Sequence, residues 1–319
     1  MELIRTEGYE DRMNRVVMPY LDKYKECGYF DPDGRGDIYY EKYCRESPKG
    51  VMLIAHGFTE SAQKYVEMIY YFLQGGYQVY IMDMRGHGRS VREGEDLSMV
   101  HIGRYEHYVA DLEYLADEIA RKENPGLPLY LYGHSMGGGV SAVLLEKRPE
   151  LFNKSILSSP MLKPKTGNMP FVIVYVAAVV QVWLGKGKTY VAGHHAFRED
   201  ETFPDSAAVS RERYEYYYQR RLKESLFQTS GASYGWLREA IRLSKHVRRR
   251  TNRRKIRASI LLFQAQRDDY VDNKAQRQFA RNIRDVRLIL VKGAKHEIYM
   301  SDDETMRKYI KKIFKFLEM

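Results

Sequence analysis

The stretch that most constrains this chain is Leu129-Tyr130-Leu131-Tyr132-Gly133-His134-Ser135-Met136-Gly137-Gly138-Gly139. An apolar, β-prone run stops at a serine flanked by glycines. Val140, Val143 and Leu144 then continue at helical spacing as far as Lys147-Arg148-Pro149. Strand, Gly-x-Ser-x-Gly, helix is the context in which a serine sits on a sharp turn with its hydroxyl exposed above a sheet. So tight a turn leaves no room for side chains at the flanking positions, which accounts for Gly133 and Gly137. Ser135 is expected in a strained backbone conformation. The helix that starts there points its free N–H groups and positive dipole end at any developing oxyanion. A glycine-rich turn carrying an incidental serine is the plain alternative, and the pentapeptide alone does not exclude it.

Around this turn the chain alternates strands and helices. Gly50–Gly57, Tyr77–Asp83, Pro128–Tyr132, Lys154–Pro160, Ser259–Ala265 and Val286–Val291 are short apolar runs of the kind buried on both faces of a parallel sheet. Asp37–Cys44 alternates and reads as an antiparallel strand, and residues 9–27 read as an amphipathic helical lead-in. Helical patterns at Tyr65–Leu73, Val109–Ile119 and Ala275–Ile283 fall between the strands, which predicts a mostly parallel central sheet covered by helices on both faces. Between Pro160 and Ile256 the rhythm breaks for about ninety residues, far too many for a connecting loop. They read as helices at Phe171–Leu184, Ser210–Leu226 and Tyr234–Leu243. The expected organisation is a core over residues 1–162 and 256–319, with a helical cap or lid inserted over 163–255.

A hydrophobic content of 44% in 319 residues supports a sizeable core. The two cysteines, Cys27 and Cys44, make no disulfide framework and fit a reducing compartment. The N-terminal residues carry no apolar h-region, so no secretory leader is expected. The uncharged run Met169–Gly185 falls short of a spanning helix. The expectation is a soluble cytoplasmic protein, peripheral at the inner face of a membrane. Much of the net charge of +10 lies in Arg248–Arg257. That cluster reads either as a solvated linker face or as a contact for anionic phospholipid headgroups. No nucleic-acid-binding motif accompanies it.

The chain order that accompanies such an elbow is nucleophile, acid, histidine. Of nine histidines, only His296 follows both Ser135 and an acid-bearing strand end. His134 is expected to point away from Ser135, and His56, His87, His101 and His107 to orient loops. His194, His195 and His246 show no metal-ligand spacing, so no metal or cofactor is expected. The acid is Asp268, Asp269 or Asp272; Asp272 suits the N-cap of the following helix. Asp268 lies nearest the strand end and is the first choice, with Asp269 the fallback. In acyl transfer His296 would take the Ser135 proton and Asp268 would fix the imidazole tautomer. The oxyanion hole would be the backbone N–H groups of Phe58 and Met136.

Four motifs carry a family resemblance: His56-Gly57-Phe58-Thr59-Glu60-Ser61, Asp83-Met84-Arg85-Gly86-His87-Gly88-Arg89-Ser90, Gly133-His134-Ser135-Met136-Gly137-Gly138 and Gly293-Ala294-Lys295-His296-Glu297. Together they resemble the monoglyceride lipase and lysophospholipase branch of the α/β-hydrolases. Ser159-Pro160-Met161-Leu162 and Tyr234-Gly235-Trp236-Leu237 resemble the bacterial lysophospholipases of that branch. The resemblance implies an α/β-hydrolase fold with Ser135 as nucleophile, Asp268 as acid, His296 as base, and Phe58 and Met136 as oxyanion donors. It departs at Gln266-Arg267, where many relatives carry a glycine-containing turn. The expected activity is a serine hydrolase cleaving carboxylic esters of monoacyl lipids, lysophospholipid or monoacylglycerol. The alternatives are an esterase for small soluble esters, an aminopeptidase-like hydrolase with Glu199, Asp200 and Glu201 as amine-binding candidates, or a non-catalytic binding protein on the same fold. The all-apolar helix Phe171–Leu184 is expected to be buried or to lie against acyl chains.

Overall fold

In a computed structural model, which describes residues 3–319, eight strands form one sheet in the order β1-β2-β4-β3-β6-β7-β9-β10. They are β1 Lys25–Phe30, β2 Ile38–Tyr43, β3 Val51–Ala55, β4 Gln78–Met82, β6 Leu129–His134, β7 Lys154–Ser158, β9 Ser259–Arg267 and β10 Val286–Lys295. Two further strands, β5 Met99–Val100 and β8 Gly231–Ala232, pair with each other. From β4 to β10 every neighbouring pair is parallel, and only β1–β2 and β2–β4 are antiparallel.

The continuous apolar runs of β3, β4, β6, β7 and β9 are explained by burial on both faces. Val286–Val291, expected to be the same, lies in the edge strand β10 and is largely uncovered because it has a neighbour on one side only. Alternate residues go to opposite sides of a pleated strand. Accordingly Val51, Leu53, Leu129, Leu131, Ile260 and Leu262 enter one hydrophobic cluster. Their neighbours Met52, Ile54, Tyr130, Tyr132, Leu261 and Phe263 enter the other. Helices cover both sides: α1 Val66–Gln74, α2 Glu106–Tyr114, α3 Ser135–Lys147, then α4 Phe171–Trp183, α5 Arg211–Lys223 and α6 Tyr234–Val247. The last two are α7 Asn273–Ala280 and α8 Asp303–Glu318.

The lead-in differs from its sequence reading. Helical backbone stops at Asp22, and Lys25–Phe30 is an edge strand paired with β2. An edge strand has a partner on one side only, so its burial pattern, and with it the periodic signal, is weak. Both cysteines are free thiols in this region.

The chain leaves the sheet after β7 and returns at β9, passing through α4, α5 and α6. α6 packs on α3, and α4 packs on α6. The apolar helix α4 is not buried, contrary to one arm of its expectation. Only Ala178 is fully buried, while Val172 is 68% exposed and Trp183 82%. No helix among the described residues is long and apolar enough to cross a membrane.

Candidate active site

Ser135 is the first residue of α3 and has φ +49°, in the left-handed region that non-glycine residues rarely occupy. The elbow glycines are required for separate reasons. A Cβ on Gly133 would meet Ser141 Oγ at 2.5 Å and Gly138 Cα at 2.9 Å. One on Gly137 would lie 2.1 Å from the Ala55 carbonyl oxygen, so the start of α3 rests directly on the end of β3. Gly137→Ala is expected to cost at least about 2 kcal/mol of stability, because a backbone carbonyl cannot move aside as a side chain can. A thermal midpoint equal to that of the unsubstituted protein would contradict this packing.

The ends of three strands bring together residues far apart in sequence. His296 Nε2 lies 2.8 Å from Ser135 Oγ, and His296 Nδ1 lies 2.8 Å from Asp268 Oδ2. All three are buried. The other Asp268 oxygen accepts the backbone N–H groups of Tyr270 and Val271, each at 3.0 Å. Burial alone would raise the Asp268 pKa, but the bond from His296 and the two backbone donors bring it below its ordinary value. Asp272 instead caps α7, accepting from the N–H groups of Lys274 and Ala275. Asp269 lines the cavity beside His296, whose ring nitrogens are already taken by Asp268 and Ser135.

Gln266 and Arg267 act as struts between the aspartate and histidine loops. Gln266 Oε1 accepts the Gly293 N–H at 2.9 Å, and the Arg267 guanidinium donates to the Gly293 carbonyl.

The two expected oxyanion donors lie on the loop after β3 and at the start of α3. Met136 N–H belongs to the first turn of α3, whose N–H groups have no partner within the helix. Phe58 N–H makes no hydrogen bond among the described residues. The loop carrying it is fixed around that free donor. His56 Nδ1 meets the Gly57 carbonyl, Thr59 N–H donates to His87 Nε2, and Thr59 is held at φ +59°. His56 also accepts the Met84 N–H, so both histidines orient loops as expected.

His134 does not simply turn away. Its ring centroid is 4.9 Å from that of His296, its Nδ1 meets the Ser158 carbonyl, and it borders the cavity. Burial pushes its pKa down to about 3, so it is neutral near pH 7. Among the described residues no cluster of His, Cys, Asp and Glu could hold a metal ion.

Above Ser135 opens a cavity of about 540 Å3. Its walls come from the core through Phe58 and His296, and from the inserted segment through Tyr217, Tyr218, Arg221 and Trp236. Trp236, at the start of α6, lies over Phe58 with ring centroids 4.1 Å apart. The sequence reading assigned no role to Trp236, Lys64, Tyr299 or Glu60. Glu60 was within reach, since it stands in the very motif that supplies Phe58.

The family described as serine aminopeptidase, S33, matches residues 46–303. Lysophospholipase L2 of Escherichia coli is 27% identical over 261 residues, 79% of this chain and 76% of that protein. The monoacylglycerol lipase of Mycolicibacterium smegmatis is 36% identical over 133 residues, 42% of this chain and 45% of that one. Among solved structures, a soluble variant of monoglyceride lipase from Saccharomyces cerevisiae, in complex with a substrate analogue, superposes with a TM-score of 0.74 at 19% identity. It covers 92% of this chain and 94% of its own. A carboxyl esterase from Bacillus coagulans gives 0.75 at 18% identity over 92% and 98%.

Proposed function

The chain belongs to the serine aminopeptidase S33 family of α/β-hydrolases, and on that premise we propose that it is a serine hydrolase that cleaves the carboxylic ester of monoacyl lipids. Ser135 attacks the ester carbonyl while His296 takes its proton, and Asp268 holds the imidazole and stabilises the imidazolium. The N–H groups of Phe58 and Met136 receive the oxyanion. His296 then returns the proton to the departing alcohol, and the same base activates the water that hydrolyses the acyl-enzyme. The observation that carries this reading is the unbroken Asp268–His296–Ser135 chain of 2.8 Å contacts opening on a cavity.

The lipid part of the reading is supported by the family relatives and by the cavity's aromatic walls. We assign residues 163–255 to a cap, since its α5 and α6 supply one side of that cavity. We further infer that the enzyme works at an anionic bilayer. The exposed apolar face of α4 adjoins basic side chains: Lys163 and Arg248 lie over the Phe171 ring, and Lys245 over Tyr175. Apolar side chains entering the acyl region beside cations at the headgroups is the arrangement of an interfacial helix.

An amine-binding peptidase site is less well supported, because Glu201 is already paired with Arg221 at 2.6 Å.

The test is fatty-acid release from lysophosphatidylcholine, lysophosphatidylethanolamine and monoacylglycerol, with and without vesicles containing phosphatidylglycerol. Release from at least one of them, faster with anionic than with neutral vesicles, is expected. Val172→Asp with Trp183→Asp should abolish the vesicle effect while leaving turnover of a soluble short ester unchanged. No release from any of the three lipids would sink the reading.

A further inference from the structure

Glu60 is a carboxylate with almost no contact with water, 2% exposed, placed among the Phe58 loop, the elbow and the His296 loop. Its Oε2 accepts the Gly57 N–H at 2.5 Å and the Tyr65 hydroxyl at 2.6 Å. Its Oε1 accepts the Tyr299 hydroxyl at 2.6 Å, with Lys64 Nζ at 3.4 Å and His134 Nε2 at 3.6 Å. Gly57 immediately precedes Phe58, the proposed oxyanion donor. Tyr299 lies three residues beyond His296, in the short turn Ile298–Met300 whose first N–H bonds back to the His296 carbonyl.

The fit around Glu60 is close. A Cβ on Gly57 would meet Glu60 Oε2 at 2.7 Å, so only glycine lets the backbone approach the carboxylate this closely. Tyr65 and Tyr299 stack on each other, centroids 5.0 Å apart, and Tyr299 meets the His134 ring edge-on at 5.1 Å. A buried carboxylate is costly unless its lone pairs are filled, and here hydroxyl, amide and ammonium donors fill them. Burial would raise its pKa, but a proton on His134 once acid supplies it, the Lys64 ammonium and the two hydroxyls outweigh this and hold it below the usual carboxylate range.

We propose that Glu60 is the positioning residue of the acyl-transfer site: its carboxylate ties the Phe58 loop to the His296 loop across the elbow, so that donor and base stay aligned on Ser135. The proposal rests on the serine-hydrolase reading above. It assigns Glu60 no contact with substrate. Two strained residues, Thr59 at φ +59° and Ser135 at φ +49°, flank the path that the clamp spans. Strained backbone persists only where its surroundings over-determine it.

The test uses the full chain and p-nitrophenyl butyrate, a soluble ester, together with fluorophosphonate labelling of Ser135. Glu60→Ala should lower kcat about 100-fold with KM within about twofold, since misplacing one donor or the base is felt in the transition state alone. Labelling should slow in parallel. Glu60→Gln can still accept from Gly57 N–H while donating to a tyrosine hydroxyl, and should recover at least about tenfold of that loss. Tyr299→Phe removes one tie without opening a cavity and should lower kcat about tenfold, which decides the matter if Glu60→Ala fails to fold. A purely structural role would lower the thermal midpoint of each variant and leave the kcat of the folded fraction intact. That result overturns the proposal. So does a loss confined to the KM of lipid substrates, which would make Glu60 a headgroup contact. If the unsubstituted protein is not labelled, the serine-hydrolase reading falls and takes this proposal with it; if it is labelled and the variants react equally fast, only the positioning role falls.

Discussion

Ser135→Ala should reduce ester turnover about 10^6-fold and abolish fluorophosphonate labelling, since it removes the hydroxyl that His296 Nε2 meets at the cavity. The loss should not be total. The N–H groups of Phe58 and Met136 survive the substitution, and oxyanion donors with bound geometry alone leave some 10^3- to 10^4-fold over the uncatalysed rate. Ser135→Gly separates chemistry from strain. It should be equally inactive, yet more stable by about 1 kcal/mol, because glycine accepts φ +49° without a steric penalty. The alanine variant keeps its Cβ and should show no such gain. Measured turnover within about a hundredfold of the unsubstituted enzyme would mean that another nucleophile carries the reaction.

The sheet and the proposed reacting residues were legible because each depends on short-range pattern. β3, β6 and β9 are buried on both faces, so their apolar runs are unbroken. Ser135 and Asp268 each follow such a run, while His296 follows β10, an edge strand that is largely uncovered although its sequence is apolar. That sharp strand ends feed the same edge of a parallel sheet is a rule of topology. Whatever depended on long-range packing was not legible. β1 has a single neighbour and left little trace. Helix α4 is apolar all round, a pattern shared by a core helix and by one that leaves its apolar side uncovered; only its exposure separates the two.

The tyrosine content, 27 residues, also had no reading in one dimension. Part of it serves buried glutamates. Glu41 accepts hydroxyls from Tyr39 and Tyr43, Glu60 from Tyr65 and Tyr299, and Glu67 from Tyr9 and Tyr71. Glu67 also accepts Nε and Nη2 of the buried Arg213 guanidinium in a bidentate pair, which links α5 to α1. Two of these six pairings, Tyr9 with Glu67 and Tyr299 with Glu60, span more than fifty residues, so no local window reveals them. They share one chemistry: a ring fills apolar space while its hydroxyl satisfies a carboxylate that water cannot reach.

Asp268→Asn should lower kcat/KM for a soluble ester about 10^4-fold while leaving the fold intact. The reason lies in which way the new amide must face. Asp268 Oδ1 accepts two backbone N–H groups, from Tyr270 and Val271, that have no other partner in the loop. An asparagine can satisfy them only with its carbonyl oxygen. Its NH2 group then occupies the place of Oδ2, 2.8 Å from His296 Nδ1. A donor there forces Nδ1 to be the bare nitrogen, so the proton of the neutral imidazole moves to Nε2 and faces Ser135 Oγ. In that tautomer His296 cannot take the serine proton, although every heavy atom stays in place. Asp269→Asn offers the contrast, since the His296 ring nitrogens bond Asp268 and Ser135 instead; it should keep turnover of the soluble ester within about twofold. Equal losses in the two variants, or a loss at Asp268 of less than about tenfold, would remove the orienting role from Asp268 and reopen the assignment of the acid.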